Sequence, residues 1–303
     1  MTRSQGKLTT LLVATDLSRS AENGLERAVQ LPLGTGAKVC LLHVLPDGMP
    51  RTLRSQAEEK VWVKLERLAS GATQAAKEAG NSGLIITPKT VYGQAYIEII
   101  RNARASAADL MVAGRHGKRA VRNLLIGSTA IRVIRKGDLP VLIVNKKPAT
   151  TYRRPLVAIA LEDTSRAVLD LALKVLGPAI PSIPIVHAYW PPFEDSVLAR
   201  LTPKEVAEYQ REFKRRTDSD FQRFIQSLSK KDSRWKPLVL RGDPRSVVLE
   251  EAARRRSDLI VIGTHARSGL SHILLGSVAE WVISSARCDI LVARPSHFSF
   301  QLP

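Results

Sequence analysis

DLMVAGRHGKRAVRNLLIGSTAIRVIRKGDLPVLIV, residues 109–144, is written a second time as DLIVIGTHARSGLSHILLGSVAEWVISSARCDILVA, residues 258–293. Asp109 corresponds to Asp258, Gly114 to Gly263, Gly127 to Gly276 and Ser128 to Ser277, all at an offset of 149. A constant offset over so long a stretch marks duplication of a whole structural unit. Each copy has one plan: an apolar run, a glycine, a small residue three positions on, nine further residues, and Gly-Ser opening a helical pattern.

DLMVAG and DLIVIG are short apolar runs that suit strands buried on both faces of a parallel sheet. A glycine at the carboxyl end of such a strand permits a tight turn and a close approach of backbone to ligand. Gly127-Ser128 precedes Ile131 and Ile134 at helical spacing, and a helix N-terminus offers unpaired N–H groups and a positive dipole end to an anion. Ligands of open α/β sheets lie beyond the carboxyl ends of the strands. The combination predicts a phosphate site.

The spacing Gly114-x2-Gly117-x9-Gly127-Ser128 is neither of the two commonest phosphate loops, Gly-x4-Gly-Lys-Ser/Thr or Gly-x-Gly-x-x-Gly. It resembles the universal stress protein family, whose ATP-binding members carry G-x2-G-x9-G-[S/T]. The likeness runs through both halves, as in a tandem two-domain member. The resemblance implies ATP or a related adenine nucleotide as ligand, with Mg²⁺ as an ion it could bring, and a role as a nucleotide-linked sensor or regulator in stress response. It also implies residues. Asp16 would contact the nucleoside; Ala14, Thr15 and the backbone of Val44 would frame adenine and ribose. Ala113, Gly114, His116, Gly117, Gly127, Ser128 and Thr129 would hold the phosphates. Two other readings stay open: an adenine-nucleotide-dependent enzyme (slow ATPase or phosphotransfer), and a scaffold acting through its surfaces without nucleotide. The spacing reveals no catalytic residue and no metal cluster.

In chain order, LTTLLVATD reads as a first strand ending at Asp16, and Ser18 or Ser20 can cap the helix carrying Leu25 and Ala28. AKVCLLHV is a second strand, Ser55 to Ala79 a long amphipathic helix closed by Gly80, and LIITPKTVYG a strand that Pro88 confines to an edge. Gln94 to Ala105 is a short helix leading into the opening stretch. After the linker NKKPATTYRRP the plan repeats: PLVAIA, a helix to Leu176, IPIVHAYW, a helix from about Pro203, KPLVLRGDP, a helix to Arg256 and the second copy. The expected fold is α/β: two tandem open-sheet domains, residues 1–148 and 149–303, each a mainly parallel five-stranded sheet with helices on both faces, Rossmann-like and adenine-nucleotide-hydrolase-like. In the family the last strand commonly pairs with its counterpart across a dimer. Here Val141 to Val144 and Ile290 to Ala293 would therefore meet within one chain as a pseudo-dimer, with a further homodimer open.

The second half departs from the motif. Ala266 stands where Gly117 stands, and matching Leu169 and Ala172 to Leu25 and Ala28 puts Ala160 opposite Asp16. Gly263, His265, Gly276 and Ser277 then define a second, impaired site. His116 and His265 share one repeat position; without a visible orienting partner or nucleophile, backbone contact is the expected role. His43 and His187 read as satisfied core or rim histidines. Lys118, Arg119 and Arg122 could meet polyphosphate or solvent.

Composition sets the outer bounds. The 303 residues suffice for two cores, and 46 Lys and Arg against 28 Asp and Glu leave a net charge of +18. Such a surplus solubilises a surface or meets a polyanion, nucleic acid or an acidic membrane. With 5% aromatic residues, stacking platforms for single-stranded nucleic acid are few. Cys40 and Cys288 sit in strand-like runs and read as buried thiols in a cytoplasmic protein. Neither a signal peptide nor a membrane-spanning run is expected.

Overall fold

The computed structural model describes residues 6–117, 126–162, 164–191, 201–228, 232–264 and 275–294. In the first half β1 (Leu8–Ala14), β2 (Leu33–Leu45), β3 (Ile85–Tyr92), β4 (Leu110–Gly114) and β5 (Val141–Val144) alternate with α1 (Arg19–Val29), α2 (Arg51–Glu78), α3 (Ala95–Ala105) and α4 (Ser128–Lys136). The second half repeats the order. Its strands are β6 (Pro155–Ala158), β7 (Ile183–Tyr189), β8 (Trp235–Arg241), β9 (Leu259–Gly263) and β10 (Asp289–Ala293). Its helices are α5 (Thr164–Leu176), α6 (Pro203–Gln226), α7 (Pro244–Arg254) and α8 (Ser277–Ser285).

The ten strands form one sheet in the order β3-β2-β1-β4-β5-β10-β9-β6-β7-β8. Within each half all pairings are parallel. At the centre β5 and β10 run antiparallel, Val141 opposite Val292, Leu142 opposite Leu291 and Ile143 opposite Ile290. Alternation then sorts the side chains. Leu11, Val13, Leu142 and Leu291 pack on one face of the sheet, and Leu12, Ile143, Ile290 and Val292 on the other, each side covered by its own helices. Burying one such aliphatic side chain stabilises by about 1.5–3 kcal/mol, so the central pair contributes much of the cohesion between the halves.

Local chemistry explains most boundaries. Ser18 is the cap of α1, its side chain accepting from the Ala21 N–H. Thr202 and Glu205 form a reciprocal capping box at α6, and Asp243 caps α7 with Pro244 in the first turn. Pro88 lies in β3, which pairs only with β2 at the sheet's edge, where a missing N–H costs nothing. Three readings need correction. β2 begins at Leu33, well before Ala37, because Leu33 already pairs with Leu8; an irregularity with Gly36 at a left-handed φ of 68° follows before Lys38 pairs with Thr10. α2 begins at Arg51, directly after Pro50, rather than at Ser55. Cys40 and Cys288 are free thiols as read, but half-buried rather than buried.

The linker is not slack. Tyr152 is buried, and its hydroxyl donates to Asp289 Oδ2 at 2.7 Å. Arg27 Nε, from α1, donates to the same oxygen at 3.2 Å, its guanidinium lies 4.1 Å from the Tyr152 ring centroid, and its Nη1 reaches the Thr150 carbonyl at 2.8 Å. The Asn145 N–H donates to Asp289 Oδ1 at 2.9 Å. One carboxylate thus gathers α1, both ends of the linker and the start of β10. Burial, then the charge of Asp289, hold the Tyr152 phenol well above its ordinary range, so it remains an O–H donor.

Removing Asp289 strands the buried Arg27 charge. Asp289→Ala is expected to lower stability by about 3–5 kcal/mol, and Tyr152→Phe by about 1.5–3 kcal/mol for a hydrogen bond to a charged group. Urea denaturation measures both; two variants as stable as the parent would show that the cluster does not hold the halves together.

Candidate functional site

Beyond the carboxyl ends of β1 and β4, the chain closes a small loop system from backbone and short side chains. Ala14 lies beside Ala113 in the sheet register, and the Thr15 N–H donates to the Leu42 carbonyl. Leu17 takes a left-handed φ of 62°, held by its N–H donating to Thr15 Oγ1 at 3.0 Å. Asp16 Oδ1 accepts from the Ser18 N–H at 3.0 Å. Val44 stands at the end of the neighbouring β2. Gly114 has a packing reason for its identity: a Cβ there would come within 2.3 Å of the Ser20 carbonyl oxygen, so only glycine lets the first turn of α1 rest on β4.

The loop after β4 is tied down residue by residue. The Arg115 N–H donates to the Val144 carbonyl at 2.9 Å and its own carbonyl accepts from the Gly127 N–H at 2.8 Å. The His116 N–H donates to Ser20 Oγ at 3.1 Å. A Cβ on Gly117 would stand 2.9 Å from Asp16 Oδ2, so a side chain at 117 would displace that carboxylate. Gly127 occupies the cap position of α4 and supplies no side-chain cap, and no acid stands in the helix's first turn. Ser128 is exposed and Thr129 half-exposed at its mouth. Asp16, Gly117 and the α4 N-terminus therefore converge. This arrangement leaves helix N–H groups and a positive dipole end beside a carboxylate able to accept from sugar or base donors.

Duplicated contacts fix the correspondence in the second half. His43 Nδ1 pairs with the Thr15 carbonyl at 2.8 Å and His187 Nδ1 with the Ile159 carbonyl at 3.0 Å. Both histidines are satisfied by backbone. Leu161, with φ 44°, repeats Leu17, and the Ile159 N–H donates to Val186 as Thr15 does to Leu42. Ile159 thus matches Thr15, and Ala160 matches Asp16 without a shift; Glu162 falls one position beyond Leu161. The Gly276 N–H donates to the Thr264 carbonyl at 2.8 Å, copying Gly127 and Arg115, and Ser277 opens α8. That helix carries Glu280 in its first turn. His265, Ala266, Lys118, Arg119 and Arg122 lie outside the described residues.

A cleft of about 910 Å³ opens over the ends of β6, β7 and β9, lined by Ala160, Gly263, Gly276 and Ser277 together with Trp190 and Phe213. Glu162 and Asp220 also face it. The second half keeps a cavity where the motif predicts a site, lined by aromatic groups and by charges of both signs, Arg216 as well as Glu162 and Asp220. Sequence reasoning missed the roles of four residues. Ser20 anchors the loop, where only a capping role was read. Arg115 donates from Nη1 to the Ala286 carbonyl and from Nη2 to the Ser284 carbonyl, each at 2.6 Å, so the loop of one half grips the last turn of α8 in the other. Asp109 and Asp258, the first residues of the repeat, each accept from two consecutive N–H groups at the start of β1 and β6. Among the described residues no His, Cys, Asp or Glu cluster could hold a metal, and no helix is long and apolar enough to cross a membrane.

The fold and loop define a class: two fused α/β units with a glycine-bounded helix N-terminus at the strand ends. The chain belongs to the universal stress protein family, whose model matches residues 7–145 and again 151–294; the family is one of stress-response proteins. It is similar to universal stress protein E of Salmonella typhi, 26% identical with 95% of each chain covered. In structure it resembles a universal stress protein of Archaeoglobus fulgidus, with a TM-score of 0.63 at 18% identity over 94% of this chain and 98% of that one. A universal stress protein solved in complex with cAMP matches 46% of this chain and 98% of its own, with a TM-score of 0.36 at 26% identity.

Burial, then the adjacent Arg115 charge, hold the His116 imidazole below its ordinary value. His116 is therefore expected to be neutral at pH 7, its NMR titration midpoint falling below the unperturbed value of about 6.5. A midpoint at or above that value would show a ring facing water or a carboxylate.

Proposed function

We propose that the first half binds ATP or a related adenine nucleotide and that the protein acts as a nucleotide-linked regulator in stress response. The observation that carries this reading is the convergence of Asp16, Gly117 and the uncapped N-terminus of α4. Asp16 Oδ2 would accept from ribose or adenine, framed by Ala14, Thr15 and the backbone of Val44. Backbone groups of Ala113, Gly114, His116, Gly117 and Gly127, with Ser128 and Thr129, would surround the phosphates. Mg²⁺ arriving with ATP would be held largely through phosphate oxygens and water. In the second half Ala160 stands in place of the carboxylate. That half is proposed not to bind nucleotide tightly.

Calorimetric titration with ATP is expected to show one tight site per chain. Asp16→Ala should weaken it by about 1.5–3 kcal/mol, the range for a hydrogen bond to a charged group. Gly117→Val, which forces a side chain against Asp16, should abolish it. Two equal sites would show that Ala160 and Ala266 are tolerated, and unchanged binding in both variants would move the site elsewhere. Metal-dependent release of ADP at many turnovers per chain would make the protein an enzyme instead.

A further inference from the structure

A second cleft, of about 600 Å³, lies between the linker and the amino ends of β9 and β10. Its volume suits a small ligand. Arg27, Lys146, Lys147, Arg154, Arg256 and Arg287 line it, against Asp258 and Asp289 as the carboxylates among the described residues. Both carboxylates are already committed. Asp289 accepts from Arg27, Tyr152 and Asn145, and Asp258 from the N–H groups of Arg153 and Arg154. Arg27 and Arg154 spend donors on protein oxygens, and Lys147 stands 3.8 Å from Glu26. The charges of Lys146, Arg256 and Arg287 face the cleft with no partner among the described residues. Ser257 Oγ, on the same wall, is shielded from solvent with no hydrogen-bond partner among them.

The duplication supplies a control inside the chain. The first half has the same turn: Ala107 and Arg256 both adopt a left-handed φ, 49° and 50°. At that turn Ala107 is replaced by Arg256 and Ala108 by Ser257. Before the last strand Asp138 is replaced by Arg287. Where Thr9 and Thr10 donate their N–H groups to Asp109, Arg153 and Arg154 donate to Asp258. The backbone is shared, yet the second copy turns neutral and acidic positions basic around one cavity. A solubilising surface needs no such concentration. The apolar floor from Leu249, Ala252 and Ile260 gives the cavity shape.

We propose that this cleft is a binding site for a compact, multiply phosphorylated small molecule, separate from the nucleotide loop and independent of whether that loop binds nucleotide. Arg256, Arg287 and Lys146 neutralise the phosphates, with Ser257 Oγ as an additional donor. Guanidinium groups match phosphate oxygens in pairs, and three cations converging on one cavity favour several charges on one body over single anions.

Inorganic tripolyphosphate is the probe, titrated calorimetrically into the full chain. One site is expected, weakened at least tenfold in Arg256→Ala/Arg287→Ala, since a single charge-assisted contact is worth on the order of a tenfold change. Both side chains are exposed, and alanine is the residue the first copy carries at the left-handed turn. The variant should keep its thermal midpoint and its ATP isotherm. Lys146→Ala should weaken tripolyphosphate by a smaller factor. Identical isotherms for parent and double variant would overturn the proposal, as would no binding to the parent. A DNA duplex that displaces tripolyphosphate with steep salt dependence would also overturn it, assigning the charge to nucleic acid instead.

Discussion

The antiparallel pairing of β5 with β10 is the constraint from which the rest of the structure follows. Each half alone would end its sheet at a short, largely apolar strand, an edge that invites association. Joining the two edges buries Val141 to Val144 and Ile290 to Ala293 together and merges two sheets into one. It also fixes the relation of the halves, since antiparallel pairing turns one unit against the other. The amino end of β10 then meets the carboxyl end of β5, where Asp289 collects Arg27, Asn145 and Tyr152. The same arrangement lets Arg115 reach the last carbonyls of α8, where a cation is favoured by the helix dipole. A loop that changes on ligand binding would pull on the other half through that one side chain.

Duplication freed the two halves to diverge in chemistry while the backbone stayed the same. Paired left-handed residues, Leu17 with Leu161 and Ala107 with Arg256, mark turns retained in both copies. The divergence at the site is coupled. Gly117 leaves room for the Asp16 carboxylate, as the 2.9 Å approach of a hypothetical Cβ shows. Where the carboxylate is lost at Ala160, the sequence has Ala266 in place of the glycine. The second half has instead an aromatic cleft and, at its other end, a basic one.

Much of this was legible in the sequence because the repeat could be read twice. The strand runs, the edge position that Pro88 imposes on β3 and the match of Ala160 to Asp16 all follow from periodicity and alignment. Features made by tertiary contact were not legible. Nothing about Arg115 or Asp289 in sequence distinguishes them from surface charges; their partners lie in the other half and in the linker. Gly114 read as a ligand contact, and the packing of α1 against it was not legible as a further reason for glycine there. The start of β2 was hidden by Gly34 and Gly36, since the strand pairs with β1 at Leu33 and then carries an irregularity, with Gly36 left-handed, before pairing resumes at Lys38. The linker read as a tether by composition, and Tyr152 makes it part of the core.

We propose that one duplicated loop system of the two holds an adenine nucleotide. Backbone amide NMR with ATP added in steps tests it directly. Large, saturable shifts are expected at Gly117, Gly127, Ser128 and Thr129, with Gly276 and Ser277 little changed. Equal shifts at both helix starts, or shifts confined to the second half, would contradict it.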